Sequence, residues 1–138
     1  MNAQEIQTLQ HSFTLVEPIA ETAAALFYAR LFELDPSLRP LFKHDMKSQG
    51  EKLMATLKMV VIGLSNPEKI IAAVQNLGQR HASYGVQSEH YATVGEALLW
   101  TLEKGLGAAY TPEVASAWTN AFGLLSGLMQ EAAALEPA

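Results

Sequence analysis

Three prolines, each preceded by a short polar side chain, constrain the fold of this chain more than any other feature. The pairs are Asp35-Pro36, Asn66-Pro67 and Thr111-Pro112. A short polar side chain can accept hydrogen bonds from the free N–H groups of a first helical turn, where proline has no N–H to satisfy. The sequence has no sustained alternation of apolar and polar residues and no Asn-Gly or Asp-Gly turn, which are typical of strands and hairpins. The sequence therefore predicts an all-α fold.

The apolar periodicity between these signals predicts six or seven helices joined by short corners. They cover residues 3–16, 18–34, 36–42, 48–65, 67–83, 88–106 and 112–134. Pro18 permits only a sharp corner between the first two. The chain has 138 residues, of which 49% are hydrophobic, and this is enough to bury a core. We expect a single domain over residues 1–138.

Composition excludes several classes of function. The absence of cysteine excludes disulfides, thiolate metal sites and a cysteine nucleophile. The net charge of −5 argues against nucleic acid or an anionic membrane as a partner. The N-terminal residues lack a basic stretch before an apolar run, and no apolar run approaches the roughly 20 residues of a membrane helix. We expect a soluble, cytoplasmic domain.

One predicted helix carries a histidine on its apolar face. Ile70, Val74, Leu77 and His81 follow one another at steps of four, three and four residues, so they share a face. Gly78 precedes the histidine by one turn, and a glycine inside a helix costs about 1 kcal/mol relative to alanine. A flat, bulky group beside that turn would explain the glycine. The histidine is either a core residue bonded to a carbonyl or a metal or haem ligand.

The preceding predicted helix has a polar residue at the start of its aliphatic face. That face consists of Leu53, Leu57, Val60, Val61 and Leu64. Gln49 lies on the same face one turn earlier, and Gly50 removes a side chain where another helix could cross closely. Lys52 lies at the edge of the face, where its ammonium group could reach an acidic ligand group. The two facing helices would each provide apolar walls and one polar nitrogen group.

Two aromatic residues upstream lie at positions where they could serve a site. Tyr28 belongs to "LFYARLF", residues 26–32, which is apolar almost all round its helix. A buried phenol needs a hydrogen-bond partner, so Tyr28 bonds either a core carbonyl or a group in a site. Phe42 ends "RPLF", residues 39–42, and its ring either fills the core or stacks on a planar cofactor.

Three of these segments, taken together, resemble globins. "LGQRHASYGV", residues 77–86, resembles the proximal-histidine segment, and "DPSLRPLF", residues 35–42, resembles the short C helix before the haem-packing phenylalanine. Residues 91–118 resemble the G–H helix pair. The resemblance covers nearly the whole chain and is closest to bacterial single-domain haemoglobins and flavohaemoglobin haem domains, with similarity to neuroglobin in the G helix. It implies the globin fold, a three-over-three helical sandwich around a pocket for haem b (iron protoporphyrin IX).

The resemblance also implies roles for individual residues. His81 matches the proximal iron ligand, and Phe42 matches the phenylalanine that wedges the porphyrin. Gln49 and Leu53 match distal positions, and Tyr28 matches the distal tyrosine of bacterial members.

Further haem contacts are implied at the edge of the pocket and on the proximal side. Lys52 matches a frequent propionate partner, while Leu77 and Val86 flank the proximal histidine in the sequence. Tyr91 matches the tyrosine that, in flavohaemoglobins, bonds the proximal imidazole together with a glutamate.

This sequence departs from the flavohaemoglobin pattern at that glutamate. Its position falls on Ala133, with Glu131 two residues away. The strongly anionic proximal imidazole of peroxidase-like or dioxygenase chemistry is therefore not implied. Ala24 and Gly50, in contrast, match the small pair where the B and E helices of globins cross.

The distal position holds no histidine, so bis-histidine ligation of the neuroglobin kind is not supported. The other three histidines are His11, His44 and His90. We expect all three on the surface.

The function implied is reversible binding of oxygen, and of carbon monoxide and nitric oxide, at a five-coordinate iron held by His81. Tyr28 and Gln49 would stabilise bound oxygen. One alternative is nitric oxide detoxification as a dioxygenase, with electrons from a separate reductase because the chain ends soon after its last predicted helix. A gas sensor is a further alternative, but it would need an effector domain or a long signalling helix, and neither is evident in the sequence. A cofactor-free helical interaction module, with His81 and Gln49 as core polar residues, is the remaining alternative.

Overall fold

The computed structural model describes residues 2–42, 45–66, 68, 70–83 and 88–135, without the side chains of 81–83, 88 and 133–135. The α-helices in these ranges are α1 (Ala3–Val16), α2 (Ala20–Leu34), α3 (Met46–Gly63), α4 (Ile71–Ser83), α5 (Ser88–Leu106) and α6 (Pro112–Leu135). Short 3-10 helices cover Glu17–Ile19, Pro36–Leu41 and Gly107–Ala109. No strand occurs within the described ranges, which confirms the all-α prediction there. Among the same residues, no helix combines the length and the apolar character needed to cross a membrane.

Two of the predicted caps are present. The Asp35 carboxylate accepts a hydrogen bond from the Ser37 N–H at 3.1 Å, at the start of the 3-10 helix. The Thr111 hydroxyl accepts one from the Val114 N–H at 3.2 Å, at the start of α6. Each cap depends on residues within three positions of one another, so the local sequence is sufficient to define these ends.

The predicted start of α4 at residue 67 is wrong. The α-helix begins at Ile71, and Pro67 lies outside the described residues. A Cβ placed on Gly63 would overlap the side chain of Ile70, so Ile70 folds back onto the last turn of α3.

The predicted start of α3 at residue 48 is also wrong. The Asp45 carboxylate accepts a hydrogen bond from the Ser48 N–H at 3.0 Å. This N-cap starts the helix at Met46, two residues before the predicted start.

The helices pack in crossed and side-by-side pairs. α4 lies along α6, α2 lies against α5, and α1 contacts α6. α2 crosses α3 at two small residues, since a Cβ placed on Gly50 would lie only 2.9 Å from the Cβ of Ala24. The close crossing expected at this pair is confirmed.

The buried core divides into a large cluster and a small one. The large cluster joins α1, α2, α3, α5 and α6, and its buried Trp118 donates a hydrogen bond to the Ser12 hydroxyl at 2.8 Å. The small cluster is built on Val60, Val74 and Met129. A single domain usually has one contiguous core. Val60 lies on α3, Val74 on α4 and Met129 on α6, so the small cluster connects the last turns of α3 to α4 and α6. Elsewhere in the described part of the chain, α3 and α4 are not among the helix pairs that pack extensively.

The expectation that Gly78 makes room for a flat group is wrong. Gly78 is buried, and a Cβ placed on it would overlap the backbone oxygen of Met129 and lie 2.7 Å from its Cα. The glycine is therefore required by the close approach of α4 to the backbone of α6.

We predict that Gly78→Ala lowers the free energy of unfolding by about 1–3 kcal/mol, because the added methyl group meets rigid backbone. Denaturant unfolding measures the change. Gly127→Ala is the matched control, because a Cβ there has no neighbour within 4 Å and alanine favours the helix. Equal stability of the two variants would contradict this explanation of Gly78.

Candidate functional site

Tyr28 lies on α2 in the interior of the protein. Its residue surface is 8% exposed, and its hydroxyl donates a hydrogen bond to the backbone carbonyl of Gln49 at 3.3 Å. The sequence left two hydrogen-bond partners open for this phenol, a core carbonyl or a group in a site, and in the structure the partner is a backbone carbonyl. An O–H···O hydrogen bond is usually about 2.7–2.8 Å long, so this bond is long. The phenol is thus held beside the first turns of α3 by a weak contact.

Three phenylalanines surround this phenol. Its ring centroid lies 5.0 Å from that of Phe27 and 5.3 Å from that of Phe42, both in edge-to-face geometry. Phe32 stacks at 6.1 Å. Burial raises the pKa of Tyr28 to about 12, because the phenolate would lose its hydration. At neutral pH the side chain is therefore a neutral hydrogen-bond donor.

Phe32 was missed as a candidate site residue. It follows Tyr28 by four residues, which places both on one face of α2, so the signal was present in the sequence. The Arg39 guanidinium lies over the Phe32 ring, with its central carbon 5.3 Å from the ring centroid. Arg39 also donates a hydrogen bond to the Met46 sulfur at 3.1 Å, which ties the 3-10 helix to the start of α3.

Four of the predicted site residues lie around the start of α3. Gln49 and Leu53 are half-buried, and Lys52 is exposed. Leu53 and the half-buried Phe42 pack against the large core cluster, to which Tyr28 belongs. The structure therefore places Phe42 against Tyr28 and packs Leu53 against the same core cluster, with Lys52 exposed.

Two other predicted residues belong to the small cluster. Leu77 on α4 and Tyr91 on α5 are half-buried and pack against the cluster of Val74 and Met129. Burial raises the pKa of Tyr91. The backbone of His81 lies in α4, one turn after Leu77, whereas its side chain lies outside the described part. Val86 lies outside the described residues as well.

The remaining predicted positions are partly described. His11 is exposed as expected, whereas His90 is half-buried, so its prediction as a surface residue is only partly met. His44 and the side chain of Ala133 lie outside the described residues. Glu131 is exposed on α6.

The described residues fit a planar, largely apolar group held between α3 and α4. These two helices are not among the pairs that pack extensively in the described residues, and predicted contacts lie in both core clusters: Phe42 and Leu53 in the large one, Leu77 and Tyr91 in the small one. Lys52 is exposed and able to meet an acidic substituent at the solvent edge. The buried Tyr28 supplies a neutral donor on the α3 side.

The described helices form an all-α domain in which predicted site residues belong to two core clusters. A family model described as Globin matches residues 25–129, most of the chain. The chain belongs to the globin family. Its predicted globin fold, a three-over-three helical sandwich, and its predicted family are thereby confirmed.

Curated relatives are longer proteins. A flavohemoprotein of Rhizobium meliloti (strain 1021) is 32% identical over 123 residues, covering 87% of this chain and 28% of the relative. A flavohemoprotein of Bacillus subtilis (strain 168) is 28% identical over 129 residues, covering 91% of this chain and 32% of the relative. The chain therefore spans about a third of their length or less.

Solved structures match over almost the full chain. An engineered carbene transferase made from RmaNOD, a candidate nitric oxide dioxygenase of Rhodothermus marinus, superposes with a TM-score of 0.88 at 28% identity. The match covers 97% of this chain and 94% of that one. A bacterial globin from Campylobacter jejuni superposes with a TM-score of 0.84 at 22% identity over 96% of both chains, which supports the fold alone.

We predict that Tyr28 ionises last among the described tyrosines, near pH 12. Its pKa in the folded protein lies above the ordinary value of 10.0, so the folded state favours the neutral phenol. This contribution to stability is complete below pH 10 and is lost as the pH rises through about 12. Tyrosinate absorption of the haem-free protein measures the titration.

The matched variants for this titration are Tyr28→Phe and Tyr110→Phe. The first should lose the latest step, and the second, at the more exposed Tyr110, should lose an earlier one. Survival of the latest step in Tyr28→Phe would show that its phenol is not the most protected one.

Proposed function

We propose that this chain binds haem b through His81 and reversibly binds oxygen, carbon monoxide and nitric oxide. The observation that carries the proposal is the sparse packing between α3 and α4 in the described residues, with predicted contacts in both core clusters. Membership of the globin family supports haem and a gaseous ligand as the occupants.

Haem, when bound, supplies an iron with a coordination position that is open to a diatomic gas. In our proposal the imidazole of His81 holds the iron from the α4 side. Phe42, Leu53 and Leu77 would contribute apolar surface that holds the porphyrin and excludes water from it. Lys52 would pair with a propionate, and the resemblance to globins adds Val86 and Tyr91 as proximal contacts.

Tyr28 acts as the main hydrogen-bond donor to bound oxygen. Its phenol is neutral, buried and held by a 3.3 Å bond that is weak enough to be exchanged for a better one. Gln49, half-buried on α3, provides an amide as a second donor. Bound oxygen carries partial negative charge, and a hydrogen bond to a charged group contributes roughly 1.5–3 kcal/mol. This corresponds to about 10- to 150-fold in affinity.

Nitric oxide dioxygenation is a second candidate function. RmaNOD, named as a candidate nitric oxide dioxygenase, supports it. The reaction combines nitric oxide, oxygen and one electron to give nitrate, so it needs an electron donor, which we propose is a separate reductase. Nitrate yield distinguishes this activity from simple gas binding.

We expect the purified chain to take up haem stoichiometrically and to give the absorption spectrum of a five-coordinate ferrous form. His81→Ala should abolish this spectrum, because it removes the proposed iron ligand. His11→Ala, at an exposed histidine on α1, is the matched control and should leave it unchanged. Failure of the unmodified protein to take up haem would instead favour a cofactor-free interaction module.

We predict that Tyr28→Phe speeds oxygen dissociation at least about tenfold, the effect of losing a donor to a charged ligand. Carbon monoxide carries little charge and should dissociate at nearly the original rate. Stopped-flow ligand replacement measures both rates. Tyr110 lies directly after the 3-10 helix Gly107–Ala109. Tyr110→Phe is the control and should change neither rate. An unchanged oxygen rate in Tyr28→Phe would remove Tyr28 from its proposed role.

A further inference from the structure

An apolar groove lies along the junction of α2 and α3. Its cavity volume is about 740 Å³, and we call it the α2–α3 groove. Ala24, Ala25 and Ala29 line it from α2, and Gly50 and Met54 line it from α3. Four of these five residues have one side-chain carbon or none, so the cavity results from missing side-chain volume rather than from separated helices.

The α2–α3 groove reaches the proposed oxygen donor. Tyr28 is among its lining residues, although the residue is only 8% exposed. The outer part is open, because Ala25 and Ala29 are both exposed. Tyr28 therefore connects the groove lining to the Gln49 carbonyl, which its hydroxyl contacts at 3.3 Å.

The chemistry of the groove favours small uncharged molecules. Its charged side chains are exposed at the rim and carry both signs, Glu21 and Glu51 against Arg39 and Lys47. An ion of either sign would meet like charges at the rim and alanine methyl groups inside, with no buried charge to pair with. A diatomic gas loses little hydration on entering such a space.

We propose that diatomic gases enter and leave the site beside Tyr28 through the α2–α3 groove, and that Ala25 and Ala29 keep this route open. This inference rests on the proposed function, because it assumes a gas-binding site next to Tyr28. It adds the direction of access and the residues that control it.

Blocking a route for gas entry and removing a hydrogen-bond donor change the association and dissociation rates in different ways. Blocking a route slows entry and exit by the same factor and leaves the equilibrium affinity unchanged, since the bound state is untouched. Loss of a donor changes dissociation and affinity together. The two roles can therefore be separated within one set of rate measurements.

The test uses the haem-loaded chain of residues 1–138 and carbon monoxide. Ala29→Trp and Ala25→Trp each place an indole in the groove, and each should slow association and dissociation alike, by about tenfold. Thr22→Trp is the matched control, because Thr22 is an exposed α2 residue outside the groove lining. Two blocking variants are used so that failure of one to fold does not decide the result.

Xenon provides a second readout that does not depend on the kinetics. Under xenon pressure, the methyl NMR signals of Ala24, Ala25 and Ala29 should shift in the carbon-monoxide-bound protein. The Ala29→Trp variant should lose the shift at Ala24 and Ala25, while Thr22→Trp should keep it.

The outcomes separate the two proposals. Carbon monoxide binding at unchanged rates in both blocking variants overturns the route and leaves the proposed function standing. A chain that takes up no haem overturns the proposed function and the route together. Parallel slowing of both rates, with affinity constant and the control unaffected, supports the route.

Discussion

The crossing of α2 and α3 at Ala24 and Gly50 is the contact on which the rest of the site depends. With no side chain on one helix and a single methyl group on the other, the two backbones approach closely. Tyr28 follows Ala24 by one turn, and Gln49 precedes Gly50, so the crossing brings the phenol to the first turns of α3. A larger residue at either position would separate the helices, withdraw the phenol and alter the groove between them.

The aromatic surroundings of Tyr28 determine what its phenol can do chemically. Phe27, Phe32 and Phe42 exclude water from the ring, and burial makes the phenolate unfavourable. The same burial leaves a neutral donor with one long hydrogen bond to a carbonyl. Such a donor can exchange its carbonyl acceptor for a ligand at low cost, because little free energy is lost when the existing hydrogen bond is broken. Desolvation and weak pairing thus act together in the site that we propose.

Much of the fold and part of the site could be predicted from local patterns. The caps at Asp35 and Thr111 lie within three residues of the N–H groups that they accept from, so the sequence alone is sufficient to place them. The small residues at Ala24 and Gly50 likewise signalled the close crossing. The start of α4 could not be placed in this way, since it depends on Ile70 folding back over Gly63 at the end of the preceding helix.

By itself, the sequence determined that the chain is helical, where α1, α5 and α6 begin, and which residue types are available for a haem site. These properties follow from hydrogen bonds and periodicity within a few residues. Tertiary structure alone decided the role of Gly78, which accommodates the backbone at Met129 on α6 rather than a cofactor. It also decided that the Tyr28 hydroxyl bonds the Gln49 backbone. Both contacts join residues from different helices, and their geometry depends on how closely the helices approach, which no local pattern specifies.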